Sequence, residues 1–126
     1  QPDLVDEYLD FRNVLPYIVP PGSYPWRFDQ DRLITIEVAD VRDWNRGADH
    51  SFDAIYYDPF CPESAPDLWT TASMKAMRDL ISDDGKLATY SCSRPVRTAL
   101  EQAGWDVARV PGPKGGKREV IVASPR

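Results

Sequence analysis

The run Phe52-Asp53-Ala54-Ile55-Tyr56-Tyr57-Asp58 constrains this chain more than any other. It is almost continuously apolar, which predicts a strand buried on both faces, the habit of strands in parallel sheets. A helical crossover should follow such a strand, and the next residues have that form. Ser64 and Asp67 have capping-box spacing, and Trp69, Ala72, Ala76, Met77 and Leu80 recur at helical intervals, predicting a helix from about Pro66 to Ile81. Asp83-Asp84-Gly85 then turns the chain into a second strand, Lys86 to Ser91. Pro95 opens a second helix carrying Val96, Ala99, Leu100 and Ala103, and Gly104 stops it.

Two strands end the chain, Trp105 to Val110 and Glu119 to Ser124, joined by only 8 residues. A parallel crossover needs about a dozen or more, so this pair should be antiparallel. Upstream, Arg32 to Val38 is rich in β-branched residues and reads as a strand, with a turn or short helix near Val41 to Arg46. Leu4, Val5, Tyr8, Leu9, Phe11 and Leu15 follow a helical period that Pro16 ends. Between Pro16 and Phe28, the residues Pro20, Pro21, Gly22 and Pro25 argue against regular structure and place Tyr17, Tyr24 and Trp26 on a loop able to cover a pocket. The expected fold class is therefore α/β, with one core.

Composition excludes several classes. No stretch has the 18 or so apolar residues of a membrane span, and the acidic start is unlike a secretory signal, so a soluble, cytoplasmic protein is expected. Cys61 and Cys92 form no paired motif and lie far from His50, which predicts neither metal nor disulfide but two buried thiols. His50 sits in a polar turn and reads as solvated. The net charge of -5 is unevenly spread: residues 1 to 85 hold 7 basic and 17 acidic side chains, and residues 86 to 126 hold 8 and 3. The carboxyl-terminal end could face an anion, or simply carry solvated cations.

Ligands of open α/β sheets bind beyond the carboxyl ends of strands, which singles out Asp40, Asp58 and Ser91. Asp58-Pro59-Phe60-Cys61-Pro62 sets a carboxylate, a rigid proline and an aromatic ring directly after a strand. Methylating an amine requires the nitrogen lone pair to be aligned with the methyl donor, and an aspartate can secure that by accepting the N–H or the proton. Phe60 could stack on a base. An Asp-Pro turn also ends strands for conformational reasons alone. The run resembles the Asp/Asn-Pro-Pro-aromatic signature of amino-methyltransferases, with one proline absent between Pro59 and Phe60.

Taken together, FDAIYYDPFCPESAPDLWT, GKLATYSCSRPVRTALEQAGW and GGKREVIVAS resemble the methyltransferase domain of the bifunctional enzyme that matures 5-methylaminomethyl-2-thiouridine in tRNA, and its single-domain relatives. The match runs from about residue 33 to 124. It implies an incomplete class I (Rossmann-like) sheet, mostly parallel with an antiparallel carboxyl-terminal strand. It further implies S-adenosylmethionine as cofactor, tRNA as partner, and methyl transfer to the aminomethyl nitrogen of wobble uridine. By that resemblance Asp58, Pro59 and Phe60 form the catalytic wall, Asp40 hydrogen-bonds the cofactor adenine, and Lys117 and Arg118 face tRNA phosphate while Glu119 anchors their loop. Asp40 could instead only cap its turn, and the basic loop could be merely solvated.

The family's cofactor site opens with a strand, a glycine-rich turn and an acidic residue for the ribose. Residues 1 to 31 contain one glycine, Gly22, in a proline-rich segment. Residues 1 to 126 are thus expected to be a single partial domain that lacks those first strands, either a fragment or a chain that borrows a strand from another copy as a homo-oligomer. The competing expectations are a noncatalytic module that binds RNA or protein through its basic end, and a methyltransferase for DNA or small amines.

Overall fold

The computed structural model describes residues 20–43, 51–116 and 119–126. They fall into two compact units, Gln1–Trp44 and Asn45–Arg126. The helix expected before Pro16, along with Tyr17 and His50, lies outside the described residues.

In the first unit β1 (Gly22–Arg27) pairs antiparallel with β2 (Leu33–Val38). The strand at β2 was expected, whereas β1 corrects the expectation of an irregular loop. Register supplies the reason. Tyr24 faces Ile36 and Trp26 faces Ile34, and these four side chains, with Val38, are the half-buried ones, so aromatic and β-branched residues pair across one face. A two-stranded ribbon leaves alternate backbone N–H groups unpaired, and a proline such as Pro25 is tolerated at such positions. Asp29 closes the connection: its carboxylate accepts from the backbone N–H groups of Asp31 and Arg32, both at 2.9 Å, and from the Arg32 guanidinium.

The second unit holds a sheet in the order β3 (Phe52–Tyr57), β4 (Ile81–Thr89), β6 (Glu119–Pro125), β5 (Trp105–Pro111). β3 and β4 are parallel, and β6 runs antiparallel to both β4 and β5, so three strands share a direction and the last is reversed. The final pair is antiparallel, as the loop length predicted. Two helices accompany it, α1 (Thr71–Leu80) and α2 (Arg94–Gln102).

The register explains the core. Leu87, Ile121 and Ala123 are fully buried and share one face with Trp105, while Ala88, Val120 and Val122 on the other face are half-buried. Trp105 reaches from β5 to α1, where its indole N–H donates to the Met74 carbonyl at 3.0 Å. A buried indole that satisfies its only polar atom contributes its large apolar area without a desolvation cost. Gly104, with φ of +96°, ends α2 as expected and lets β5 start at once.

Three local expectations are corrected. β3 is a terminal strand of its sheet and largely exposed, with Tyr56 at 84%, because an apolar run by itself does not distinguish a central from an outer strand. The proposed helix from Pro66 divides into a 3₁₀ turn at Pro66–Leu68 and α1, and the cap is Thr70, whose hydroxyl accepts from the Ser73 N–H at 3.1 Å, rather than Ser64. Cys61 is exposed and Cys92 half-buried, so the two thiols are free but not both buried.

The turn expected at Asp83-Asp84-Gly85 survives as a bulge inside β4: Phe52 pairs with Ile81, yet Ala54 pairs with Lys86. Gly85 is required there. A Cβ at this position would lie 2.6 Å from Ile81 Cγ1 and 3.0 Å from the Asp53 carbonyl oxygen. Gly85→Ala should therefore destabilise the protein by about 1–3 kcal/mol in denaturant unfolding, the usual cost of overpacking.

Candidate acceptor site at the end of the third strand

β3 ends at Tyr57, and the chain turns through Asp58, Pro59 and Phe60 into a short stretch in which Ser64 and Ala65 both donate backbone N–H bonds to the Cys61 carbonyl at 2.9 Å. Three aromatic residues hold this turn. The Trp69 indole N–H donates to the Phe60 carbonyl at 2.8 Å. The Tyr90 hydroxyl donates to the Pro59 carbonyl, also at 2.8 Å, and the Tyr57 hydroxyl donates to the Leu68 carbonyl. Trp69 is buried and packs edge-on against both Tyr57 and Tyr90, with ring centroids 5.4 and 5.7 Å away. Successive carbonyls of the turn are thus anchored, so its backbone is fixed while its side chains stay free.

The outward side chains are those the sequence singled out. Phe60 is 82% exposed, Asp58 is exposed and Pro59 half-buried. An exposed phenyl ring on an anchored backbone is positioned for stacking and gains little from its own fold. Partial burial, and then the proximity of Cys61, Asp58 and Glu63, push the Tyr90 phenol above its ordinary value. It therefore stays protonated at neutral pH and keeps its donor for Pro59.

Tyr57, Trp69 and Tyr90 were not among the expected site residues. Tyr57 and Tyr90 lay inside or at the end of apolar strand runs, and Trp69 in a helical pattern, where each reads as core. The available signal was position: both tyrosines sit at the ends of neighbouring parallel strands, and register pairs Tyr57 with Thr89, the residue before Tyr90. Ser91, the third strand-end candidate, is buried with its hydroxyl 3.5 Å from that of Ser93, and so helps shape the start of α2.

Asp40 follows β2 in the first unit. Its carboxylate accepts from the Arg42 backbone N–H at 3.0 Å, and from the Arg42 guanidinium at 3.0 and 2.7 Å, while its carbonyl accepts from the Asp43 N–H. It caps its turn, the alternative left open for it. Most of the acceptor capacity of a carboxylate, about four lone-pair sites, is thereby used. Lys117 and Arg118 lie outside the described residues; Glu119 beside them pairs with Arg109 of the adjoining strand at 3.9 Å. Among the described residues no group of three or more His, Cys, Asp or Glu could hold a metal, and no helix is long and apolar enough to cross a membrane.

The Arg42 hydrogen bonds lower the Asp40 carboxyl from its ordinary 3.8 to about 2. A lowered folded-state value means the stabilisation is complete above the unfolded value and is lost as pH falls through about 2. NMR titration of the Asp40 carboxyl carbon should give a midpoint near that value, and Arg42→Ala should return it toward 3.8.

Comparisons with known proteins agree on the family. A family model described as S-adenosyl-L-methionine-dependent methyltransferase matches residues 15–126. The tRNA 5-methylaminomethyl-2-thiouridine biosynthesis bifunctional protein MnmC of Paraburkholderia phymatum is 36% identical over 116 residues, a match covering 87% of this chain and 17% of that protein. The protein of the same name from Azoarcus sp. strain BH72 is 35% identical over 102 residues, covering 80% and 16%. The crystal structure of MNMC2 from Aquifex aeolicus superposes with a TM-score of 0.70 at 27% identity, covering 98% of this chain and 38% of that one. The chain spans only about a sixth of the length of these curated relatives. With a matching model over nearly its whole length, the chain belongs to the S-adenosyl-L-methionine-dependent methyltransferase family.

Proposed function

We propose that this chain forms the acceptor-side part of an N-methyltransferase that modifies the aminomethyl group of a tRNA wobble uridine. The carrying observation is the anchored turn: Asp58 and Phe60 are exposed on a backbone held by Trp69 and Tyr90. Phe60 stacks on the uracil ring. Asp58 accepts an N–H of the aminomethyl group, turns the nitrogen lone pair outward and takes up the proton released on methylation. S-adenosylmethionine supplies the methyl group as an electrophile when bound.

The described residues do not by themselves make a site for that cofactor. Among them is no glycine-rich turn to cradle it, and the Asp40 oxygens are engaged by Arg42. The cofactor-binding role of Asp40 would require that ion pair to open. The sheet, with three strands in one direction and a reversed last strand, supports reading this part as the carboxyl-terminal side of a class I, Rossmann-like domain. Lys117 and Arg118 face tRNA phosphate in this reading, and the reaction belongs in the cytoplasm. The closed Asp40–Arg42 pair favours a second reading, a noncatalytic module that binds RNA or protein.

Calorimetric titration of S-adenosylhomocysteine separates the two, using this chain and a chain extended upstream by a glycine-rich strand, turn and helix. Binding by the extended form alone is expected; binding by neither would leave the noncatalytic module. In the extended form Asp58→Ala should lower kcat by roughly a hundredfold, the range for loss of a general base, with cofactor affinity within about twofold. Equal losses in both would remove Asp58 from the chemistry.

A further inference from the structure

An open groove of about 460 Å³ lies against α2, lined by residues including Trp69, Thr70, Arg94, Thr98 and Gln102. Arg94 opens the helix and Gln102 closes it, so the groove follows the helix length. At the far end the Thr71 hydroxyl donates to Gln102 Oε1 at 3.0 Å, tying α1 to α2 across the groove. No carboxylate lines it, although the chain carries 20 acidic residues and a net charge of -5. Arg94 is exposed, and among the described residues its guanidinium has no hydrogen-bonding or ionic partner. Its neighbour Arg97, by contrast, donates to the Cys92 carbonyl. An exposed guanidinium with Thr98 one helical turn along the same groove, and no carboxylate in the lining, suits a phosphate diester.

The groove also shares a wall with the acceptor turn. Trp69 lines it, and the same indole holds the Phe60 carbonyl. The Trp69 side chain therefore stands between the groove and the Phe60 backbone. A single-stranded RNA loop suits that arrangement, with a splayed base on an aromatic ring and a backbone phosphate beside it.

We propose that this groove seats the backbone of the nucleotide next to the methyl-accepting uridine, with Arg94 pairing to its phosphate. The proposal rests on the tRNA reading above and adds a binding residue outside the Asp58–Phe60 turn and the basic Lys117–Arg118 loop.

The test uses the extended chain and fluorescence anisotropy with an anticodon stem-loop whose wobble uridine bears an aminomethyl group. Arg94→Gln should weaken binding about tenfold, the loss of one charge-assisted contact, and reduce the slope of log affinity on log salt by about 1. Arg94→Lys should keep the slope. Lys75→Gln, an exposed change on α1 away from the groove, should leave affinity within about twofold, and S-adenosylhomocysteine binding should be unchanged in all three variants. An Arg94→Gln affinity equal to wild type, or an equal loss from Lys75→Gln, overturns the groove assignment and leaves the tRNA reading standing. Failure of the wild type to bind the stem-loop removes both.

Discussion

The hydrogen bond from the Trp69 indole to the Phe60 carbonyl organises the turn after β3 in the second unit. It joins the residue two positions before α1 to the turn after β3, and Tyr57 and Tyr90 clasp the same ring system from the ends of β3 and β4. Each edge-on aromatic contact contributes about 0.5–1.5 kcal/mol beyond area burial, and each satisfied hydrogen bond about 1 kcal/mol. Because these contacts converge on one turn, they act together. The result is a turn held at its Pro59 and Phe60 carbonyls while the Asp58 and Phe60 side chains are exposed.

A second anchor secures the other end of the sheet. Trp105 is fully buried and bonded to Met74, which couples β5 to α1. Arg78 on α1 reaches the same region, donating to the carbonyls of Gly104 and Arg126 at 3.3 and 2.9 Å. The helix is thus bound at one end through Trp69 to the acceptor turn and along its length through Met74 and Arg78 to the closing strands. The start of α1 is consequently fixed relative to α2, which gives the groove between them a defined shape.

Electrostatics differ between the two units. Asp40 and Arg42 neutralise one another within a single turn, whereas Asp58 and Arg94, in the other unit, have exposed charges in the places where a ligand could meet them. A charge already paired contributes to local structure. A charge with no partner among the described residues, on a backbone already ordered by folding, is available for recognition at little further ordering cost.

Periodicity and length were enough to read much of this chain. Strand runs at Leu33, Phe52, Trp105 and Glu119, the stop at Gly104 and the antiparallel closing pair all follow from local rules: β-branched runs, glycine's access to positive φ, and a loop too short for a crossover. The place of Asp58, Pro59 and Phe60 in a turn just past a strand end was legible too. What lay beyond the sequence depended on neighbours distant along the chain. The strand at β1 exists because Tyr24 and Trp26 find Ile36 and Ile34 across the ribbon, and β3 is exposed because, among the described strands, β4 alone pairs with it. The same holds for the roles of Trp69 and Tyr90, which each reach back from 9 or 31 residues away to grip the acceptor turn. Local propensity determined which segments could be strands or helices; burial, pairing and the grip on the turn were decided by tertiary contacts, because those energies exist only once separate segments meet.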